Sequence, residues 1–130
     1  MPFEFTTLRS HLDAGAFDVT YLEMPMVMEP NLYRWFFHSS SIPGQDRGGA
    51  NRWRYRSEEA DALIDEGVTV TDMDARRQVY QKLQVLLAED LPVLPLWHPH
   101  AVAVTSTRLT DYQLLPSAPF TPLAQAQLKR

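Results

Sequence analysis

The chain has 130 residues, of which 45% are apolar and 22% charged, and it carries a formal charge of −4 at pH 7. That balance fits one soluble globular domain, and the mild acidity gives no overall electrostatic reason to expect nucleic acid or an anionic membrane as partner. Cysteine is absent, which excludes disulfides, thiolate metal sites and a cysteine nucleophile.

The N-terminus, Met1 to Phe5, lacks the basic and apolar regions of a signal peptide. No stretch approaches the ~20 apolar residues of a membrane span. The expectation is that the chain is either cytoplasmic or without its true beginning. Phe3 and Phe5 flank Glu4 in strand-like alternation, after which Thr6 or Thr7 caps a short helix carrying Leu8 and Leu12, stopped by Gly15. Residues 16–23, β-branched and aromatic between Gly15 and Pro25, read as a buried strand. Its end opens into a methionine-rich loop, Met24 to Pro30.

Residues 31–38 are dense in Leu32, Tyr33, Trp35, Phe36 and Phe37, which suits a short helix or packed turn capped by Asn31. The serines at 39–41 and the Pro43-Gly44 and Gly48-Gly49 pairs mark an exposed loop. Ser57 then caps a helix with Ala60, Leu63 and Ile64 on one stripe, ending near Gly67. Thr71 or Asp72 caps a second, in which Val79, Leu83, Leu86 and Leu87 repeat at helical spacing as far as Asp90, with Tyr80 widening that face. Asp61 and Asp65, with Glu58 and Glu66, fall on positions expected to face solvent. Residues 93–97 and 101–105 read as further strands, the first irregular because of Pro92 and Pro95. Beyond residue 112, Pro116, Pro119 and Pro122 suggest an extended arm over residues 113–130.

Catalytic signatures are missing: there is no Gly-x-Ser-x-Gly, no His-Glu-x-x-His and no phosphate-cradling glycine loop. An enzyme is therefore not expected, and neither is a cofactor. His98-Pro99-His100 resembles a metal ligand pair, but neighbours two apart on an extended chain separate without a turn, so a polar strand end is the plainer reading. Arg52-Trp53-Arg54-Tyr55-Arg56 interleaves cations with aromatics as single-strand nucleic-acid platforms do. Period two also places the arginines opposite Trp53 and Tyr55, as a half-buried strand would, and the acidic total favours that structural role.

Several segments in order resemble the family of extracellular solute-binding proteins that includes the oligopeptide, dipeptide and nickel receptors. They are Gly15-Ala16-Phe17-Asp18, the acidic-Pro pair Glu29-Pro30, Asn51 to Tyr55, the run Ser57 to Ile64, Thr71-Asp72 with Arg76, Arg77 and Tyr80, and Leu86 through Trp97. The similarity covers about residues 3–112 and corresponds to the last quarter or so of such a receptor. The resemblance implies an α/β fold, part of one lobe of a two-lobed periplasmic-binding-protein-like (type II) architecture, with a small mixed sheet and two or three packed helices. It also implies capture of a peptide or similar small solute by lobe closure and delivery to the permease subunits of an ATP-binding-cassette importer. The full-length protein would then be periplasmic or extracellular and membrane-associated.

Where the family has Gly-Trp, this chain has Leu22 and Glu23, and the usual ligand-anchoring aspartate position falls on Met26. Glu23 is the candidate substitute counter-charge for a cationic ligand group. Met24, Met26 and Met28 either give a soft wall for apolar side chains or pack beneath a second lobe. Arg52 or Arg54 is a candidate partner for a ligand carboxylate. An isolated chain would expose Trp97, Tyr112, Leu114, Leu115 and the arm, and is expected to form a homo-oligomer. The alternative function is a free-standing interaction or ligand-sensing module derived from the same fold.

Overall fold

The structure, a computed structural model, describes residues 4–24, 29–44, 48–98, 100–115 and 121–129. It divides into two compact units, Met1–Leu94 and Pro95–Arg130. The first holds four helices among the described residues: α1 (Phe5–Ala14), α2 (Leu32–Phe37), α3 (Glu58–Thr69) and α4 (Met73–Asp90), with a 3-10 turn at Ser39–Ser41. No described helix is long and apolar enough to cross a membrane.

The starts of α1, α3 and α4 are set by side-chain caps. The α1 cap is Glu4 and not Thr6 or Thr7: its carboxylate accepts from the Thr6 and Thr7 amides at 3.0 and 3.3 Å, placing a negative charge on the positive end of the helix. Phe5 accordingly enters the helix, which corrects the expected strand at 3–5, whose first residue lies outside the described ones. Gly15, at φ +71°, closes α1 as a left-handed cap whose N–H reaches the His11 and Leu12 carbonyls. Ser57 Oγ accepts from the Ala60 amide at 3.2 Å to start α3, and Asp72 Oδ1 from the Ala75 amide at 2.8 Å to start α4. Gly67 does not end α3, which runs on to Thr69. Instead it marks the crossing with α4, since a Cβ there would lie 2.7 Å from Tyr80 Cζ.

The core of this unit is Phe36, Phe37, Ala50, Ala60, Ile64, Tyr80 and Leu83. Ile64 and Leu83 come from the two expected helical stripes, and α2 adds its aromatic pair. Tyr33 stacks on Tyr80 at 6.0 Å, while Trp53 lies 6.2 Å from Phe36 and 5.4 Å from Phe37. Residues 52–56 hold a turn at 52–53 and not the half-buried strand expected of them, because Arg54 adopts φ +58° and breaks the period-two path. Asn51, fully buried, holds that turn: Nδ2 donates to the carbonyls of His38 and Tyr55 at 3.1 and 2.9 Å, and Oδ1 accepts from the Tyr55 amide at 3.0 Å.

The described chain is mainly helical, and the expected small mixed sheet is corrected. Residues 16–23, 93–97 and 101–105 form no strand; Val19 is 91% exposed and Val104 96%. Their β-branched content favours extended backbone, but a strand also needs a neighbour to complete its ladder, and no described residue supplies one to these segments. In the unit Pro95–Arg130 the regular structure is an antiparallel pair, β1 (Leu109–Thr110) with β2 (Gln127–Leu128), and a 3-10 turn at Thr121–Ala124. Residues 113–130 thus include a segment that folds back on β1.

Candidate functional site

The unit Met1–Leu94 carries an open pocket of about 280 Å³. Four chain segments build it. The apolar face of α1 contributes Phe5, Leu8 and Leu12, α2 contributes Trp35 and Phe36, and residues 22–24 and Ala50 with Arg52 supply the rest. Arg9 completes the lining, which is predominantly apolar with three charged side chains, a composition that suits a small organic ligand better than a reacting one.

Of the residues singled out in the sequence, Glu23, Met24 and Arg52 come together here. Met26 and Met28 lie outside the described residues. Arg54 is placed beside the C-terminus of α1, where NH2 donates to the Asp13 carbonyl at 3.2 Å and the guanidinium occupies the space a Cβ on Gly15 would need. Arg52 is held by its Nε, which donates to Asp13 Oδ1 at 2.7 Å, and Asp13 also faces Arg9 at 3.7 Å. The pocket role of α1 was not read from the sequence. Leu8 and Leu12 at i, i+4 announce one apolar face, but that spacing does not say whether the face meets a core or a cleft.

A second polar group fixes the acidic-Pro pair. Arg76 of α4 donates to the Glu29 carboxylate, to Asn31 Oδ1 at 2.9 Å and, through Nε, to the Gly67 carbonyl at 2.9 Å, while its guanidinium lies 5.3 Å over the Tyr80 ring. Tyr80 Oη donates to the same Asn31 oxygen at 3.1 Å. Asn31, expected to cap α2, therefore gives its side chain to α4 and makes no capping hydrogen bond. The Arg76 guanidinium, helped by the Asn31 amide, holds the Glu29 carboxyl below its ordinary value.

Asp61 and Asp65 do more than face solvent. Asp61 accepts from the Ser39 amide at 2.9 Å and from its hydroxyl, and Asp65 accepts from Arg34. Between them sits His38, buried, with Nδ1 accepting from the Ser40 amide at 3.0 Å and Nε2 3.4 Å from Asp65. This joins α2 to α3. Tyr55 donates to Asp90, and burial together with that bond pushes its phenol up to about 12. Among the described residues no group of three His, Cys, Asp or Glu side chains could hold a metal ion, and His98 is exposed.

Comparison with known proteins finds similarity over a little more than half of the chain. It is 29% identical over 76 residues to heme-binding protein A of Haemophilus influenzae, covering 58% of this chain and 14% of that protein. It is 34% identical over 70 residues to probable di/tripeptide-binding protein 5 of Pseudomonas aeruginosa, covering 54% of this chain and 13% of that one. The matched stretch thus spans about a seventh of the length of these relatives. No family model matches the chain, and no solved structure matches it significantly.

Proposed function

We propose that this chain, a distant relative of the extracellular solute-binding proteins of ATP-binding-cassette importers, forms part of the ligand-holding lobe of such a receptor. Its work is binding and not covalent chemistry, as the names of the relatives are those of binding proteins. The solute is a peptide or a molecule of similar size, received outside the cytoplasmic membrane and passed to permease subunits. The observation that carries this reading is that Glu23, Met24 and Arg52, all candidate ligand contacts in the sequence, line one apolar pocket although 28 positions separate Met24 from Arg52.

In this reading the apolar wall receives side chains of the solute and Glu23 its cationic end. Met24 faces the pocket and also packs against the core, so it transmits the shape of the helices to the wall. Arg54 donates to the carbonyl of Asp13, the residue whose carboxylate holds Arg52. The exposed apolar side chains of the unit Pro95–Arg130, Leu96, Val102 and Val104, are those through which an isolated chain would self-associate.

Titration calorimetry tests the ligand class. The full-length protein is titrated with a panel of di- and tripeptides, with hemin, and with maltose as a sugar control. Saturable binding of peptides is expected. Binding of maltose or hemin with no peptide binding would overturn the choice of solute. Glu23→Gln is expected to weaken peptides with a free amino end roughly tenfold, the value of one charge-assisted hydrogen bond, and to leave N-acetylated peptides unchanged.

A further inference from the structure

We propose that Arg9 and Arg52 make one end of the pocket selective for a carboxylate, so that the solute held there is an apolar molecule carrying an anionic group. The inference rests on the receptor reading above and names the chemistry of its ligand.

Two guanidiniums of this pocket share one carboxylate. Arg9 and Arg52 both line the pocket, and both turn toward the single carboxylate of Asp13, at 3.7 and 2.7 Å. One negative charge cannot neutralise two guanidiniums. Glu23 lines the same pocket, yet it forms no ion pair with either arginine among the described residues. Of the two guanidiniums, Arg9 is 62% exposed and keeps its water, whereas Arg52, 16% exposed in a mostly apolar lining, gains most from an anion that arrives with the apolar surface displacing the water.

The geometry of Arg52 favours a carboxylate as that anion. Its side chain is only 16% exposed and is gripped at Nε by Asp13. The bond to Asp13 uses one of five N–H donors, and no described acceptor takes the terminal nitrogens. A guanidinium fixed through Nε and open at its terminal edge is pre-oriented for two parallel hydrogen bonds to a planar carboxylate. Arg9, exposed and more distant from Asp13, adds charge without a fixed orientation. If the Arg52–Asp13 pair served only to tie residues 50–54 to α1, the pocket would not distinguish an acid from its amide.

That distinction is the test. Calorimetry on the full-length protein compares 4-phenylbutyrate with 4-phenylbutanamide, and N-acetyl-Leu-Phe with its C-terminal amide, so that a carboxylate is read with and without a peptide backbone. The acids are expected to bind about tenfold or more tightly than the amides, the range of a charged hydrogen bond, and to lose that margin as salt rises. Arg9→Gln and Arg52→Lys should each shrink the acid-to-amide ratio; Arg9, exposed, can be changed even if Arg52 proves necessary for folding. Equal affinity for acid and amide in the unaltered protein overturns the proposal and leaves the receptor reading intact, as does an equal loss for both in the variants. An amide that binds more tightly than its acid also overturns it, in favour of Glu23. If none of these compounds and none of the di- and tripeptides or hemin bind, the receptor reading fails, and this inference fails with it.

Discussion

Asn51 connects three stretches of backbone through one amide, and its value is set by what its loss would strand. Asn51→Ala leaves the His38 and Tyr55 carbonyls and the Tyr55 amide without their partner in a fully buried position. A loss of about 3 kcal/mol is expected in urea unfolding, since unsatisfied buried groups cost more than the bonds contribute when made. Tyr55 itself gives an alkaline signature. Its phenol, raised from 10.0 to about 12, contributes stability that is complete below pH 10 and is lost as pH rises through about 12. Phenolate absorbance should show one tyrosine ionising near pH 12, absent in Tyr55→Phe. The sequence placed Asn51 in a motif but gave no partner for it, and it put Asp61 on a solvent face, because the Ser39 and His38 contacts cross a turn of unknown path. Glu23 and Arg52 were legible as candidates from their positions; that they share a pocket with α1 depends on packing no local pattern carries.

At the scale of elements, α3 and α4 could be read closely because their periodicity and caps are local: Ser57 and Asp72 do what their residue types dictate. The strands could not, because a ladder depends on a neighbour elsewhere. Val102 and Val104 have strand-forming side chains and no such neighbour among the described residues. The crossing of α3 with α4 is testable at Gly67. Alanine there improves helix propensity by roughly 1 kcal/mol but drives a methyl group against the Tyr80 ring, 2.7 Å from Cζ. Overpacking wins, with an expected net loss of about 1–2 kcal/mol in thermal or urea unfolding. Gly44→Ala, with nothing within 4 Å, is the neutral control. The helix starts also set the acid limb. Glu4, held low first by the Thr6 amide, and Glu29, held low first by Arg76, contribute fully above their ordinary value of 4.5 and progressively less as pH falls through the lowered values. Glu4→Gln and Glu29→Gln should each flatten the loss of stability on acidification, measured by circular dichroism from pH 6 to pH 2.

For the molecule as a whole, the unit Met1–Leu94 holds the core and the pocket, whereas the unit Pro95–Arg130 exposes large apolar side chains, Val102 at 80% and Val104 at 96%. Apolar exposure of that kind promotes association. Sedimentation is expected to show concentration-dependent self-association, reduced when Val102 and Val104 are both replaced by lysine; a monomer at all concentrations would contradict it. The receptor reading makes a narrower demand, that solute enters between α1, α2 and residues 22–24. Backbone amide NMR during titration with Leu-Phe addresses it directly. Saturable shifts confined to Leu8, Leu22–Met24, Trp35 and Ala50–Arg52 are the result expected, and saturable binding that leaves those amides unmoved while shifting others would contradict it.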